Sequence, residues 1–192
     1  MGHLVEFSDE ELCSRVAQHD REAFDLLVRR YEPRAYRLAY SMLGNEADAR
    51  DVSQEVFIRV YETAHQFSGR SRFNTWFHRV LVNLCIDHRR LGKWWQKIVP
   101  LWHSEDDPDA PSVEPESSDP GPEAEAIGHQ EVARLEAALQ RLSPKQRAAI
   151  LLQAQEGCSS QEIAEVLNCS NNTARVHLHR ALAELRKILR DG

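Results

Sequence analysis

Between Leu101 and Ile127 the chain reads LWHSEDDPDAPSVEPESSDPGPEAEAI, and this run limits the available folds more than any other feature. It holds nine acidic residues and neither Lys nor Arg, and it is rich in Pro and Ser. Such a composition buries too little apolar surface to offset the entropy lost on ordering, so it reads as a linker. Cut there, the 192 residues make two small units rather than one core. The expected boundaries are 1–98, a linker over 99–128, and 129–192. The cut also explains the charge. The formal net charge is −6, but outside the run 21 of the 30 acidic residues face all 24 Lys and Arg. The flanking units are mildly basic, so the acidic total does not exclude nucleic acid as a partner.

Several classes are disfavoured. No apolar run is long enough to span a bilayer. Met1–Phe7 lacks the basic-then-apolar order of a secretory signal, and Glu6 stands where a myristoylation signal needs Ser or Thr. Cys13, Cys85, Cys158 and Cys169 form no C-x-x-C pair. That argues against a zinc site or a disulfide framework and fits a reducing, cytoplasmic setting. Cys85 falls in an apolar helical pattern, where cysteine acts as a small hydrophobe. No nucleophile–base grouping, phosphate loop or metal-ligand spacing stands out, and His88, His177 and His179 are isolated. Neither catalytic residues nor a cofactor, metal or small-molecule substrate is expected.

Both units read as all-α. Ser8-Asp-Glu-Glu11 is a capping box. Asp20 caps a second helix, with Phe24, Leu27, Val28 and Tyr31 at helical spacing. Pro33 marks its end or a kink; Tyr36, Leu38, Ala39 and Met42 follow, and Gly44-Asn45 stops the pattern. Asp48–Ala64 is a further helix. HQFSGRSRF, residues 65–73, is a loop centred on Gly69. Asn74 or Thr75 then opens a helix to about Arg90, with Trp76, Phe77, Val80, Leu81 and Leu84 as its apolar stripe. Trp76 and Phe77 are expected in the core. Beyond the linker, Glu131–Arg141 is helical. Ser143-Pro144 starts a helix that Gly157 ends.

Ser159-Ser-Gln-Glu162 is another capping box, and it opens a pair of helices around a tight turn. Ile163, Ala164 and Leu167 form the inner face of the first. Asn168 stands where a left-handed residue is needed, and Ser170 caps the second helix. The inner face of that helix is Ala174, Leu178, Ala181, Leu182 and Leu185. Its outer face carries Asn172, Arg175, Val176 and His179, with Asn171 at the leading turn. Arg180, Arg186, Lys187 and Arg190 follow. Asn pairs bidentately with adenine and Arg with guanine in a major groove, and the N-terminal residues of the second helix of a helix-turn-helix meet the bases. The bland alternative is an exposed polar face on a helical bundle.

The N-terminal unit offers two faces. Asp51, Gln54 and Glu55 share an exposed side of one helix, either solvated or suited to a basic partner helix. Arg79, Asn83, Asp87 and Arg90 follow each other at helical spacing beside the loop, an arrangement that fits a platform for unstacked bases.

Three stretches carry a family resemblance: FDLLVRRYEPRAYRLAYSMLGNEADARDVSQEVFIRVY, FSGRSRFNTWFHRVLVNLCIDHRR, and LQRLSPKQRAAILLQAQEGCSSQEIAEVLNCSNNTARVHLHRALAELR. In these the chain resembles the group IV, or extracytoplasmic-function, sigma factors of bacterial RNA polymerase. The resemblance implies a sigma2-like helical bundle and a sigma4-like helix-turn-helix domain joined by a flexible acidic linker. It implies that Asp48, Asp51, Gln54 and Glu55 bind core RNA polymerase through the β′ coiled coil. Phe67, Ser68, Arg70, Arg72, Phe73, Arg79, Asn83, Asp87 and Arg90 would meet the −10 element of promoter DNA. The C-terminal unit would sit on the β flap and read the −35 element with Ser170, Asn171, Asn172, Thr173, Arg175, Val176, His179 and Arg180. An anti-sigma factor, often membrane-anchored, commonly holds such proteins inactive. Asn168 replaces the family's usual Gly, and Asn172, Ala174 and His177 depart from its usual recognition helix, so the resemblance does not carry the DNA sequence read. KWWQKIVPLW, residues 93–102, is also unusual and reads as a hydrophobic flap over the bundle or as a docking segment.

Two other classes stay in view. A stand-alone helix-turn-helix regulator would need a sensing or dimerisation module in the N-terminal unit, where no ligand pocket is evident. An adaptor with a degenerate DNA domain would not depend on Arg175.

Overall fold

The computed structural model describes residues 7–102 and 123–191. Among these residues the chain is entirely helical apart from turns, with no strand. Helix α1 spans Asp9–Val16, α2 Arg21–Leu43, α3 Glu46–Thr63 and α4 Phe73–Trp102. Helix α5 spans Glu123–Arg141, α6 Pro144–Glu156, α7 Ser160–Val166 and α8 Asn171–Asp191.

Local chemistry sets most of the starts. At α1 the Ser8 hydroxyl accepts from Glu11 N–H at 3.2 Å, and the Glu11 carboxylate accepts from Ser8 N–H at 2.8 Å. The Asp20 carboxylate accepts from Ala23 N–H at 3.1 Å and opens α2. Asn45 caps α3, which therefore begins two residues before the expected Asp48. Ser143 and Gln146 form a full capping box at α6, with Pro144 in the first turn. Gly44 ends α2 at φ 83°. That left-handed backbone favours glycine; a Cβ there would also lie 2.7 Å from Gln140 Nε2, so the Gln140 side chain would have to shift.

Two further boundaries differ from expectation, and one is decided. Of the two readings at Pro33, an end or a kink, the end is not taken: α2 continues through it. A proline inside a helix costs ~3 kcal/mol, but Pro33 is exposed while Tyr31, Ala35, Leu38 and Ala39 around it are buried. Burial at roughly 1.5–3 kcal/mol per large side chain outweighs that loss. Helix α4 runs past Arg90 and through Gly92 to Trp102, so the backbone of the tryptophan-rich segment continues the helix; the side chains of 93–102 lie outside the described residues. Helix α5 begins at Glu123, inside the segment expected as linker; the expectation for 103–122 lies outside the described residues.

Helices α1–α4 form a bundle around Leu12, Leu27, Tyr31, Leu38, Met42, Phe73, Phe77 and Leu81, each at most 2% exposed. Tyr31 sits at its centre. Its hydroxyl donates to the Asp9 carboxylate at 2.6 Å, and its ring meets Phe77 and Phe73 at 4.6 and 5.2 Å between centroids. Burial and Asp9 raise the Tyr31 pKa, so the phenol stays protonated and keeps this bond. The C-terminal unit packs α6, α7 and α8 around Leu152, Ile163, Ala174, Leu178 and Ala181, with Ala138 of α5 and Leu142 just after it also buried.

The two units touch. Helix α2 packs against α5 and α6, and α4 packs against α7. Helix α4 is therefore buried on two sides, one facing the bundle and one, with Thr75 and His78, facing the C-terminal unit.

Candidate nucleic-acid interface

The C-terminal site is built by the turn between α7 and α8. Ser159 and Glu162 hold reciprocal bonds at the start of α7: Ser159 N–H donates to the Glu162 carboxylate at 2.9 Å, and Glu162 N–H donates to the Ser159 hydroxyl at 3.3 Å. The Ser159 backbone and hydroxyl hold the Glu162 carboxyl below its ordinary pKa. Asn168 adopts φ 48°, the left-handed conformation expected of it. Cys169 N–H closes the turn on Ala164 O at 2.9 Å. Thr173 N–H then donates to the Ser170 hydroxyl at 3.1 Å, which starts α8.

Burial orients α8. Ala174, Leu178, Ala181 and Leu185 face the core. Leu182, expected with them, is 39% exposed. It lies roughly 70° round the helix from the centre of that stripe. Ser170, Asn171, Asn172, Thr173, Arg175, Val176, His179 and Arg180 are all exposed. The first turn of α8 holds no acidic residue, so amide, hydroxyl and guanidinium groups project together. His177 is half-buried instead; burial and the nearby Lys145 and Arg180 cations lower its pKa and favour the neutral ring.

In the N-terminal unit, the loop between α3 and α4 is pinned at both ends. Phe73, expected to meet DNA, is 1% exposed and belongs to the core. Its N–H donates to Glu10 Oε1 at 2.8 Å, which ties the loop to α1. Phe67 is half-buried, with its ring 5.5 Å from Trp76 and 5.9 Å from Phe73 between centroids. The pins leave Ser68, Arg70 and Arg72 projecting around Gly69, whose φ is 69°.

Helix α4 continues the surface. Asn83, Asp87 and Arg90 are exposed, and Arg90 lies 3.7 Å from Asp87. Arg79 points elsewhere: its Nε–H donates to the Glu165 carbonyl of α7 at 3.1 Å. A cleft of about 340 Å³ runs between α3 and α4, lined by Arg59, Gln66, Trp76, Val80, Asn83 and Asp87 among others. Trp76, expected in the core, is half-buried at this cleft, while Phe77 is fully buried as expected. Arg59 and Gln66 are additions that helical spacing alone did not single out.

On α3, Asp51 and Gln54 are exposed and Asp48 and Glu55 half-exposed. Asp48 stands 3.7 Å from His88 Nε2, and Glu55 stands 3.6 Å from Arg59. Ile58 lies on the same face, one turn on from Gln54 and Glu55, and is 58% exposed. Sequence spacing could have found it: an isoleucine at i+3, i+4 and i+7 from three polar residues sits on their side of a helix.

Two sequence families match: Sigma-70 region 2 over residues 27–95 and Sigma-70 region 4 over residues 133–185. The chain is 38% identical to the ECF RNA polymerase sigma factor SigE of Mycolicibacterium smegmatis, over 98% of this chain and 75% of that protein. The chain belongs to the extracytoplasmic-function family of RNA polymerase sigma factors. The sigma factor SigW of Bacillus subtilis is 30% identical to it over 97% of this chain and the whole of that protein. Among solved structures, CnrH in complex with the cytosolic domain of CnrY matches 95% of this chain and 97% of its own, with TM-score 0.69 and 24% identity. At that identity the likeness speaks for the fold. As an extracytoplasmic-function sigma factor, the protein is a promoter-specificity subunit of transcription initiation. No helix among the described residues is long and apolar enough to cross a membrane.

Proposed function

We propose that this sigma factor carries no catalysis of its own and divides promoter recognition between its two units along the faces described above. The α3 face of Asp48, Asp51, Gln54 and Glu55, with Ile58 at its C-terminal end, docks on the β′ coiled coil of core polymerase. Ser68, Arg70 and Arg72 of the loop, with Asn83, Asp87 and Arg90 of α4, meet the unstacked −10 strand, and Trp76 floors the adjoining cleft. Arg79 joins them once it is released from α7. The exposed turns of α8 from Ser170 to Arg180 read the −35 element, with the C-terminal unit on the β flap. The unit boundaries 1–98 and 129–192 belong to the same reading. An anti-sigma factor, soluble or anchored at the membrane face, restrains the protein in the cytoplasm. CnrH in complex with CnrY, and the sigma factor RpoE of Bartonella quintana in complex with the anti-sigma factor NepR, are known structures of related fold.

The observation that carries this reading is the outer face of α8, where eight candidate base- and phosphate-contacting residues are exposed together while the opposite face is buried. The energetics favour dependence on polymerase. Flipping a base costs a few kcal/mol, and each stacked base returns ~1–3 kcal/mol, so the N-terminal unit alone is near balance. The test is transcription from a random promoter library by sigma-free core polymerase plus this protein, beside DNA binding without core. Transcripts sharing two spaced elements, with weak binding by the protein alone, are expected. Tight specific binding without core-dependent initiation would make it a free-standing regulator instead.

A further inference from the structure

We propose that Val176 is a methyl reader within the −35 face: it packs against the 5-methyl group of one thymine in the major groove, beside an adenine held by Asn172. This deepens the −35 assignment above and rests on it.

The core leaves Val176 on the far side of α8. Ala174, Leu178, Ala181 and Leu185 mark the side that is buried. Val176 stands roughly 170° round the helix from the centre of that stripe, and it is 39% exposed. Leu182 and Leu189 are exposed apolar residues of the same helix, but they lie roughly 70° and 50° from that centre, at the edge of the core. Among the described residues of α8, a large apolar side chain opposite the core is therefore peculiar to Val176.

Its neighbours are those of a groove-facing surface. Asn172 and Thr173 lie one turn before it and His179 and Arg180 one turn after, all exposed. From Asn171 to Ala183 the helix carries no acidic residue, so phosphates flanking a groove meet no like charge there. The start of the helix is fixed by the Ser170 hydroxyl, which accepts from Thr173 N–H at 3.1 Å and lies 2.8 Å from the Thr173 hydroxyl. Valine branches at Cβ and holds one χ1 rotamer in a helix, so its methyl groups have a set direction before DNA arrives.

Base chemistry then selects the ligand. Major-groove edges present acceptors, amino donors and one apolar group, the 5-methyl of thymine. Against an amino or carbonyl edge, valine would strip water and return no hydrogen bond. Against the methyl it loses nothing polar. Asn172, four residues earlier on the same side of the helix, carries the amide that pairs with adenine N6 and N7. Four residues of helix rise about 6 Å, against about 3.4 Å per base pair. The adenine and the thymine therefore fall within roughly two pairs of each other. A 5-methylcytosine offers the same methyl on a different base pair, and the test separates the two.

The test uses holoenzyme assembled from core polymerase and the full chain. A random promoter library defines the −35 element. Each thymine of that element, on either strand, is replaced in turn by deoxyuridine, which removes the methyl and keeps the base pairing. Promoter affinity is measured for wild type and for Val176→Ser, whose urea midpoint should match wild type because the side chain supports nothing in the core. One replacement should lower wild-type affinity about fourfold, the worth of one buried methyl group. Val176→Ser should bind the unmodified element more weakly by a similar factor and should not distinguish thymine from uracil at that position. Tighter wild-type binding with 5-methylcytosine than with thymine there would overturn thymine as the ligand. An element with no methyl-sensitive thymine, or a sensitivity that Val176→Ser retains, would overturn the methyl reader and leave the −35 assignment standing. A library that yields no −35 preference would overturn both.

Discussion

Arg147 is the largest wholly buried side chain among the described residues, at 0% exposure. Its partners are carbonyls. Nε–H donates to Leu139 O at 2.6 Å, Nη2–H to Leu142 O at 3.4 Å, and Nη1–H to Met42 O and to Gln140 Oε1. Leu139 and Met42 lie in the last turns of α5 and α2, where unsatisfied carbonyls and the helix dipole favour a cation. Arg89 of α4 adds a second donor to Met42 O at 3.0 Å. Arg147→Ala would strand several acceptors and open a cavity, so a loss of ~2–4 kcal/mol is expected, read from the urea midpoint. Arg175 stands for the opposite case. It is exposed on α8 and supports nothing in the core. Arg175→Ala should leave the urea midpoint unchanged and weaken −35 recognition by ~1–3 kcal/mol. An unchanged promoter profile would remove Arg175 from the interface.

At the scale of the element, capping explains why most helix starts were readable and packing explains why some features were not. Ser8 with Glu11, and Ser159 with Glu162, act over three residues, so their residue types suffice to announce a start. Asn168 is equally local, because a left-handed turn selects among few side chains. Helix α4 was harder. Its spacing supplied one apolar stripe, but the helix is buried on two sides, and nothing within it says that His78 faces Glu156 or that Arg79 reaches Glu165. Phe73 was misplaced for the same reason: Tyr31 and Glu10, distant in sequence, draw it into the core. On α3 the acidic face gains an exposed apolar residue at its C-terminal end, Ile58. Asp51→Lys should abolish core-polymerase binding at unchanged helicity. Ile58→Ser should weaken it, since an exposed apolar side chain contributes once a partner covers it. Normal holoenzyme assembly by both variants on a native gel would clear α3 of the docking role.

At the scale of the whole molecule, the buried side chains of both units join one apolar cluster, and a polar seam runs beside it where the units meet. Arg34 and His78 meet Glu156 there, Gln155 Nε2 donates to Ser41 Oγ at 2.9 Å, and Arg147 bonds to Met42. These contacts link residues more than seventy positions apart. The amino-acid sequence by itself determined the all-α class, the helix-turn-helix and the division into two units, because capping, periodicity and composition act locally along the chain. Only the tertiary structure decided which side of α4 each residue serves, and that the two candidate DNA-facing surfaces belong to units packed together at Glu156. A buried carboxylate is defined by the groups around it, and those groups come from helices whose approach no local pattern encodes.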